Sequence, residues 1–65
     1  MNTYTVKRKQ AGNKNPETVA TFHATGFRRT NVGAGITLFE FQDSRKNNAV
    51  VAVYPVQPDE YVVID

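Results

Sequence analysis

The chain has no cysteine and no tryptophan, and its 65 residues include a single histidine. Without cysteine no disulfide can form, and one histidine leaves too few ligands for a structural zinc site. A single core in a domain of this size rarely supplies more than about 3–5 kcal/mol. We therefore expect either very good packing or a partner surface to supply part of the stability.

Long apolar runs are also absent. No stretch approaches the roughly 18 consecutive apolar residues of a membrane-spanning helix, and residues 1–14 contain no apolar signal segment. The missing cysteine removes the usual argument for an oxidising compartment. The length of 65 residues predicts one domain (residues 1–65). The absences predict a soluble, cytoplasmic protein with no membrane contact, no cofactor and no metal ion.

Charge is distributed unevenly along the chain, although its net value is only +2. Residues 1–30 carry a net +5 and residues 31–65 a net −3. The simplest interpretation is that the two parts pair as neighbouring strands, because opposite charges across a strand pair contribute roughly 0.2–1 kcal/mol. The other interpretation is a bipolar surface that attracts and orients a charged partner.

Apolar residues recur with a period of two, in segments rich in the β-branched and aromatic residues that suit strands. The pattern predicts an all-β fold, a single small antiparallel meander of about five strands that could also curl into an SH3-like or OB-like small barrel. The predicted strands cover residues 3–9, 18–27, 36–43, 49–54 and 61–64.

Residues typical of turns separate these strands, at 10–17, 31–35 and 44–48. Residues 57–60 suit a type I turn, in which Asp59 and Glu60 are expected to cap and solubilise the loop. Pro55 lacks an amide hydrogen, so it should end the fourth strand or lie at a sheet edge. Gly26 indicates a bulge or a close backbone approach.

Residues 15–24 leave a helix open as an alternative, because Asn15 could cap it and Pro16 could take the first helical position. Against a helix, this segment is rich in β-branched residues such as Val19, which lose side-chain freedom in a helix. It also alternates with a period of two, so the strand is favoured.

The last three predicted strands are apolar on both faces, whereas a sheet with one wet face alternates between apolar and polar residues. We expect Phe39 and Phe41 to face the core, because this aromatic pair offers more burial than Leu38 with Glu40. A barrel, a second copy or another protein could cover the other face. The predicted protein contact comprises Ile36, Leu38, Val50, Ala52, Tyr54 and Val62.

No catalytic constellation is recognisable, so the protein is predicted not to be an enzyme. His23 is expected on an outward face between Thr21 and Thr25, without a carboxylate or nucleophile beside it. The segment Gly33-Ala34-Gly35 lacks the lysine and serine or threonine of a phosphate-binding loop. No spacing of oxygen ligands resembles a calcium loop.

Nucleic-acid binding is the alternative function, since small five-stranded barrels often present aromatic residues and basic loops to single strands. The candidate phosphate contacts are Lys7, Arg8, Lys9, Arg28 and Arg29. Stacking on bases needs aromatic residues on the exposed basic face, where the first predicted strand instead carries Thr5 and Lys7.

The succession ATFHATGF, LFEFQD and VVAVYP resembles the short β-meander proteins of bacteria and their phages. This general resemblance covers about three strands and assigns no functional residues. It implies a viral or bacterial accessory protein that occupies the surface of a larger protein. The sequence therefore predicts a small protein-interaction module that binds a larger host protein or self-associates as an oligomer.

Overall fold

A computed structural model of the chain describes residues 1–12 and 14–65, which form two three-stranded antiparallel sheets. The strands are β1 (Asn2–Arg8), β2 (Glu17–Ala24), β3 (Gly26–Gly33), β4 (Ile36–Asp43), β5 (Ala49–Val56) and β6 (Glu60–Ile64). The all-β prediction is confirmed, and β2 settles residues 17–24 as strand. Asn13, part of the predicted connection at 10–17, lies outside the described residues. Within the described ranges the sheets do not close into a barrel.

The strand order places one central strand in each sheet. The first sheet has the order β2-β1-β6 and the second has the order β3-β4-β5. Consequently β1 lies beside β6, and Thr3 and Asp65 donate backbone hydrogen bonds to each other at 3.4 and 2.9 Å. The free edges of the protein are β2 and β6 in the first sheet, and β3 and β5 in the second.

β3 is a strand that the sequence pattern misses, since the prediction ran one strand through Phe27 and placed a turn at residues 31–35. In the structure Thr25 alone separates β2 from β3, at the point where the chain passes from one sheet to the other. The Thr25 N–H donates to the Gln42 carbonyl at 2.9 Å, and its Oγ1 accepts from the Ser44 N–H at 2.7 Å. Gly26 simply begins β3, and a side chain there would meet nothing within 4 Å.

The core lies between the two sheets and is dominated by aromatic rings. Phe41 has no exposed surface, and its ring lies 4.7 Å from that of Phe22 and 5.1 Å from that of Tyr4. Six of the seven aromatic residues of the chain form this aromatic cluster: Tyr4, Phe22, Phe27, Phe39, Phe41 and Tyr54. The predicted inward facing of Phe39 and Phe41 is confirmed.

Other predicted connections are also present. The Glu60 N–H donates to the Gln57 carbonyl at 3.0 Å, which closes the predicted four-residue turn at 57–60. Pro55 lies within β5, a strand at a sheet edge, as its missing amide requires. A single turn of 3-10 helix, Ser44–Lys46, begins the connection to β5. No helix in the described part of the chain has the length and apolarity to cross a membrane.

β3 and β4 are joined by the two residues Ala34 and Gly35, whose φ angles are +54° and +74°. Positive φ at both positions is typical of the tight hairpin loops whose twist matches that of the strands. Gly35 also lies against the turn between β5 and β6, because a Cβ built on it would come within 2.9 Å of Pro58 Cγ. Both backbone angle and space therefore favour glycine there.

Replacing Gly35 with alanine should lower the free energy of unfolding by about 1–2 kcal/mol, since a side chain is strained at positive φ and would also press on Pro58. Gly12→Ala is the matched control, because Gly12 has the same φ of +74° with nothing within 4 Å. Urea denaturation should show the larger loss for Gly35→Ala. Equal losses in the two variants would mean that close packing against Pro58 does not affect the free energy of unfolding.

Candidate interaction surfaces

One surface of the second sheet faces away from the first sheet and is largely apolar. The strand register pairs Leu38 with Pro55 and Glu40 with Val53, and these side chains alternate with the buried Phe39 and Phe41. Near the end of β4 the register shifts, so that Val50 lies opposite Gln42 and Val51 is the extra residue. We call this surface the outer face, and its apolar members are Ile36, Leu38, Val50, Val51, Val53 and Pro55.

The outer face is well exposed where it reaches β5. Val50, Val51 and Val53 expose 45%, 43% and 51% of their surface. β5 is also a free edge of eight residues, Ala49–Val56, that contains no charged side chain. Natural proteins usually protect such edges with charges, bulges or proline, and here Pro55 and the register shift are the protective features. Apart from these two features the edge is exposed and apolar, and an edge of this kind can pair with another chain.

The predicted contact set does not form one surface. Ile36 and Leu38 lie half-buried on the outer face, and Val50 is exposed there. By contrast Ala52, Tyr54 and Val62 pack against the core, so they do not share the outer face, and their part in a protein contact stays a prediction. The physical reason is the register: Phe41 pairs with Ala52 and Phe39 with Tyr54, and in the first sheet the fully buried Val6 pairs with Val62. Val53, which the predicted set does not include, lies exposed on the outer face.

The basic residues proposed as nucleic-acid contacts are divided between the two sheets. Lys7 and Arg8 lie on β1 with Lys9 just beyond it, whereas Arg28 and Arg29 lie on β3. Two of the five are held in ion pairs: Arg8 with Glu60 at 2.9 Å and Arg28 with Glu40 at 3.4 Å. Both pairs join the basic part of the chain to its acidic part across neighbouring strands. Charge pairing between the two parts, the simpler interpretation of the sequence, is therefore present.

Glu60 is the most enclosed charged group in the described residues, with a side chain that has no exposed surface. Its carboxylate accepts hydrogen bonds from Arg8 Nη2 at 2.9 Å, from the Gln57 N–H at 2.9 Å and from the Tyr54 hydroxyl at 3.3 Å. The expectation that Glu60 solubilises the turn is therefore wrong, whereas its neighbour Asp59 is exposed. Glu60 instead ties β6 to β1 and to β5.

These contacts determine the charge state of Glu60. Burial alone raises the pKa of a carboxyl group, but the Gln57 N–H and the Arg8 guanidinium together hold the pKa of Glu60 below its ordinary value of 4.5. The pKa of the Tyr54 hydroxyl is raised, first by burial and then by the negative charge of Glu60. Glu60 is therefore ionised and Tyr54 neutral at neutral pH, which suits the hydrogen bond between them.

His23 lies on the exposed side of β2, as predicted, with its Nδ1 at 3.4 Å from the Thr3 hydroxyl. This contact crosses the β1–β2 pair, in which Thr3 is the register partner of His23. Across the described ranges there is no group of three or more histidine, aspartate or glutamate side chains that could hold a metal ion.

A groove of about 560 Å³ opens between the two sheets, along the free edge of β6. Its walls come from β3, β4 and the end of β5 on one side and from β6 on the other, and we call it the intersheet groove. Phe39, Val56 and Val62 supply apolar surface, while the exposed Arg29 and the half-buried Tyr61 also line it. Sequence reasoning gives no signal for this groove, because its residues come together only through the packing of the two sheets.

Comparison of the chain with protein-family models, with curated protein sequences and with solved structures gave no match. The geometry of the surfaces is therefore the basis for a functional proposal.

Proposed function

We propose that the protein is a non-enzymatic interaction module that self-associates through β5 and the outer face. The observation that carries this proposal is the exposure of Val50, Val51 and Val53 along an uncharged free edge. Antiparallel pairing of two β5 strands about a twofold axis brings the same patch of both copies together. The result is a six-stranded sheet with a continuous outer face.

The size of the molecule supports the use of both the edge and the face. A stable interface covers about 800 Å² on each partner, and the whole protein exposes 4391 Å². A contact of standard size therefore takes roughly a fifth of the surface, more than one strand edge can provide. The apolar outer face beside β5 supplies the remaining area, and its Arg28–Glu40 pair leaves the face without net charge.

Val53→Lys should convert the self-associated protein to a monomer, because it places a charge at the centre of the proposed contact. Sedimentation equilibrium at high micromolar concentration tests this expectation, with the wild-type protein sedimenting as a dimer or larger species. Val63→Lys is the matched control, since Val63 is also exposed, at 40%, but lies on β6 of the first sheet. It should leave the association unchanged.

A wild-type protein that stays monomeric at every concentration would contradict self-association. If that monomer bound a single-stranded oligonucleotide with a steep salt dependence, nucleic-acid binding would replace the present proposal. The five basic residues on and just after β1 and on β3 would then need to act together despite their separation on two sheets.

A further inference from the structure

The free edge of β6 has unused hydrogen-bonding groups, and residues of this strand line the intersheet groove. Because Thr3 and Asp65 exchange both backbone bonds, alternation along the antiparallel pair directs the backbone groups of Tyr61 and Val63 toward β1 as well. The N–H and C=O groups of Val62 and Ile64 then point away from β1. Within residues 1–12 and 14–65 no backbone bond joins these two residues to another element.

The groove has apolar lining residues close to these free backbone groups. Val62 and Ile64 themselves line it, and Phe39 and Val56 provide apolar surface across from them. Recognition of an extended peptide by strand addition requires an open strand edge and, beside it, pockets for the side chains of the peptide. β6 has five residues, a length of about 17 Å at the usual rise, so the edge suits a short segment.

The charge of the groove indicates which kind of peptide side chain it would bind. Arg29 lines the groove and makes no ion pair within the described residues, unlike its neighbour Arg28. Glu60, the acidic group of the lining, is neutralised by Arg8 at 2.9 Å. The open charge is therefore positive, and a carboxylate is the complementary group because its two oxygens match the guanidinium fork.

We propose that the intersheet groove binds an extended acidic peptide segment of a partner protein, which adds a strand to β6. The backbone of the segment bonds to Val62 and Ile64, its apolar side chains cover Phe39 and Val56, and a carboxylate pairs with Arg29. This site lies on the edge of the first sheet, whereas self-association is proposed for the edge of the second sheet. It therefore does not depend on the oligomeric state.

A random heptapeptide display library, selected on the wild-type protein, is the probe for this site. We expect enrichment of sequences in which β-branched or aromatic residues and an aspartate or glutamate occupy every second position, so that all of them share the face that meets the groove. Amide NMR shifts on addition of an enriched peptide should be largest at Val62, Ile64 and Arg29. Failure to enrich any peptide, or enrichment of basic peptides, overturns the proposal, and so do shifts confined to β5.

Arg29→Glu should weaken binding of the enriched acidic peptide by at least about tenfold, since repulsion replaces the ion pair. Arg28→Glu is the matched control, because Arg28 is the adjacent residue, carries the same charge and points to the outer face. It should change the affinity much less, and thermal melts establish that both variants are folded. Equal losses in the two variants, or displacement of the peptide by a single-stranded oligonucleotide, would argue for general electrostatic attraction instead of this site.

Sedimentation of the same variants separates this proposal from self-association. Arg29→Glu should weaken peptide binding while leaving the dimer intact, whereas Val53→Lys should dissociate the dimer and leave peptide binding unchanged. Loss of both properties in either variant would contradict the separation of the two surfaces.

Discussion

Phe41→Ala should leave the chain unfolded at room temperature. Phe41 is fully buried at the centre of the aromatic cluster, where its ring contacts those of Tyr4, Phe22 and Phe39. Removal of a buried phenylalanine ring costs about 3–5 kcal/mol, which equals the stability that a core of this size usually supplies. Far-ultraviolet circular dichroism and thermal melts should show loss of the cooperative transition.

Val53→Ala is the control for this prediction, since Val53 also lies in the second sheet but exposes half of its surface. It should melt close to the wild-type temperature in monomeric conditions. A cooperative transition retained by Phe41→Ala, together with unfolding of Val53→Ala, would mean that the two faces of the second sheet have been assigned the wrong way round.

Glu60→Ala should lower the free energy of unfolding by about 1.5–3 kcal/mol, because hydrogen bonds to a charged group are among the stronger ones. The substitution leaves the Tyr54 hydroxyl and the Gln57 N–H without their partner and removes the link from β6 to β1 and β5. Asp59→Ala is the matched control, because Asp59 also contacts Arg8, at 3.8 Å, but has an exposed side chain. Urea denaturation should show little loss for the control.

The contribution of Glu60 should also depend on pH. The folded protein holds the pKa of Glu60 below 4.5, the value of an unperturbed side chain. The stabilisation is therefore fully present above that value and is lost as the pH falls through the lower, folded-state pKa. Glu60→Gln should flatten the acid side of the stability profile. Part of the profile will remain, because hydrogen bonds from the Arg45 side chain and backbone also lower the pKa of Asp43.

The fold class is readable from the sequence because the strands that contain the core carry a clear period of two. β3 is not readable in the same way. Its segment Arg28–Arg29–Thr30–Asn31 is polar at successive positions and exposed, so it has no apolar alternation. It is a strand because β4 pairs with it over most of its length. This pairing is a tertiary interaction, which the local sequence of β3 does not encode.

The composition of the candidate surfaces also depends on strand pairing, which the sequence pattern does not reveal. Alternation correctly groups Ala52 with Tyr54, but only the register against Phe39 and Phe41 decides which side of the sheet they occupy. Glu60 appears as a turn residue in the sequence, and its burial depends on Arg8, far away along the chain. Period and composition therefore predict which residues share a face, whereas strand pairing decides what that face meets.

The pairing of β1 with β6 has a consequence for how the protein is made. Tyr4 pairs with Ile64, sixty positions later, whereas β3, β4 and β5 pair as consecutive hairpins. Closing the longer loop costs more entropy, so we expect the second sheet to form before the first is complete. During synthesis the aromatic side of that sheet is then only partly covered until β6 leaves the ribosome. This interval is the one in which the nascent chain is most exposed to misassembly and most in need of a chaperone.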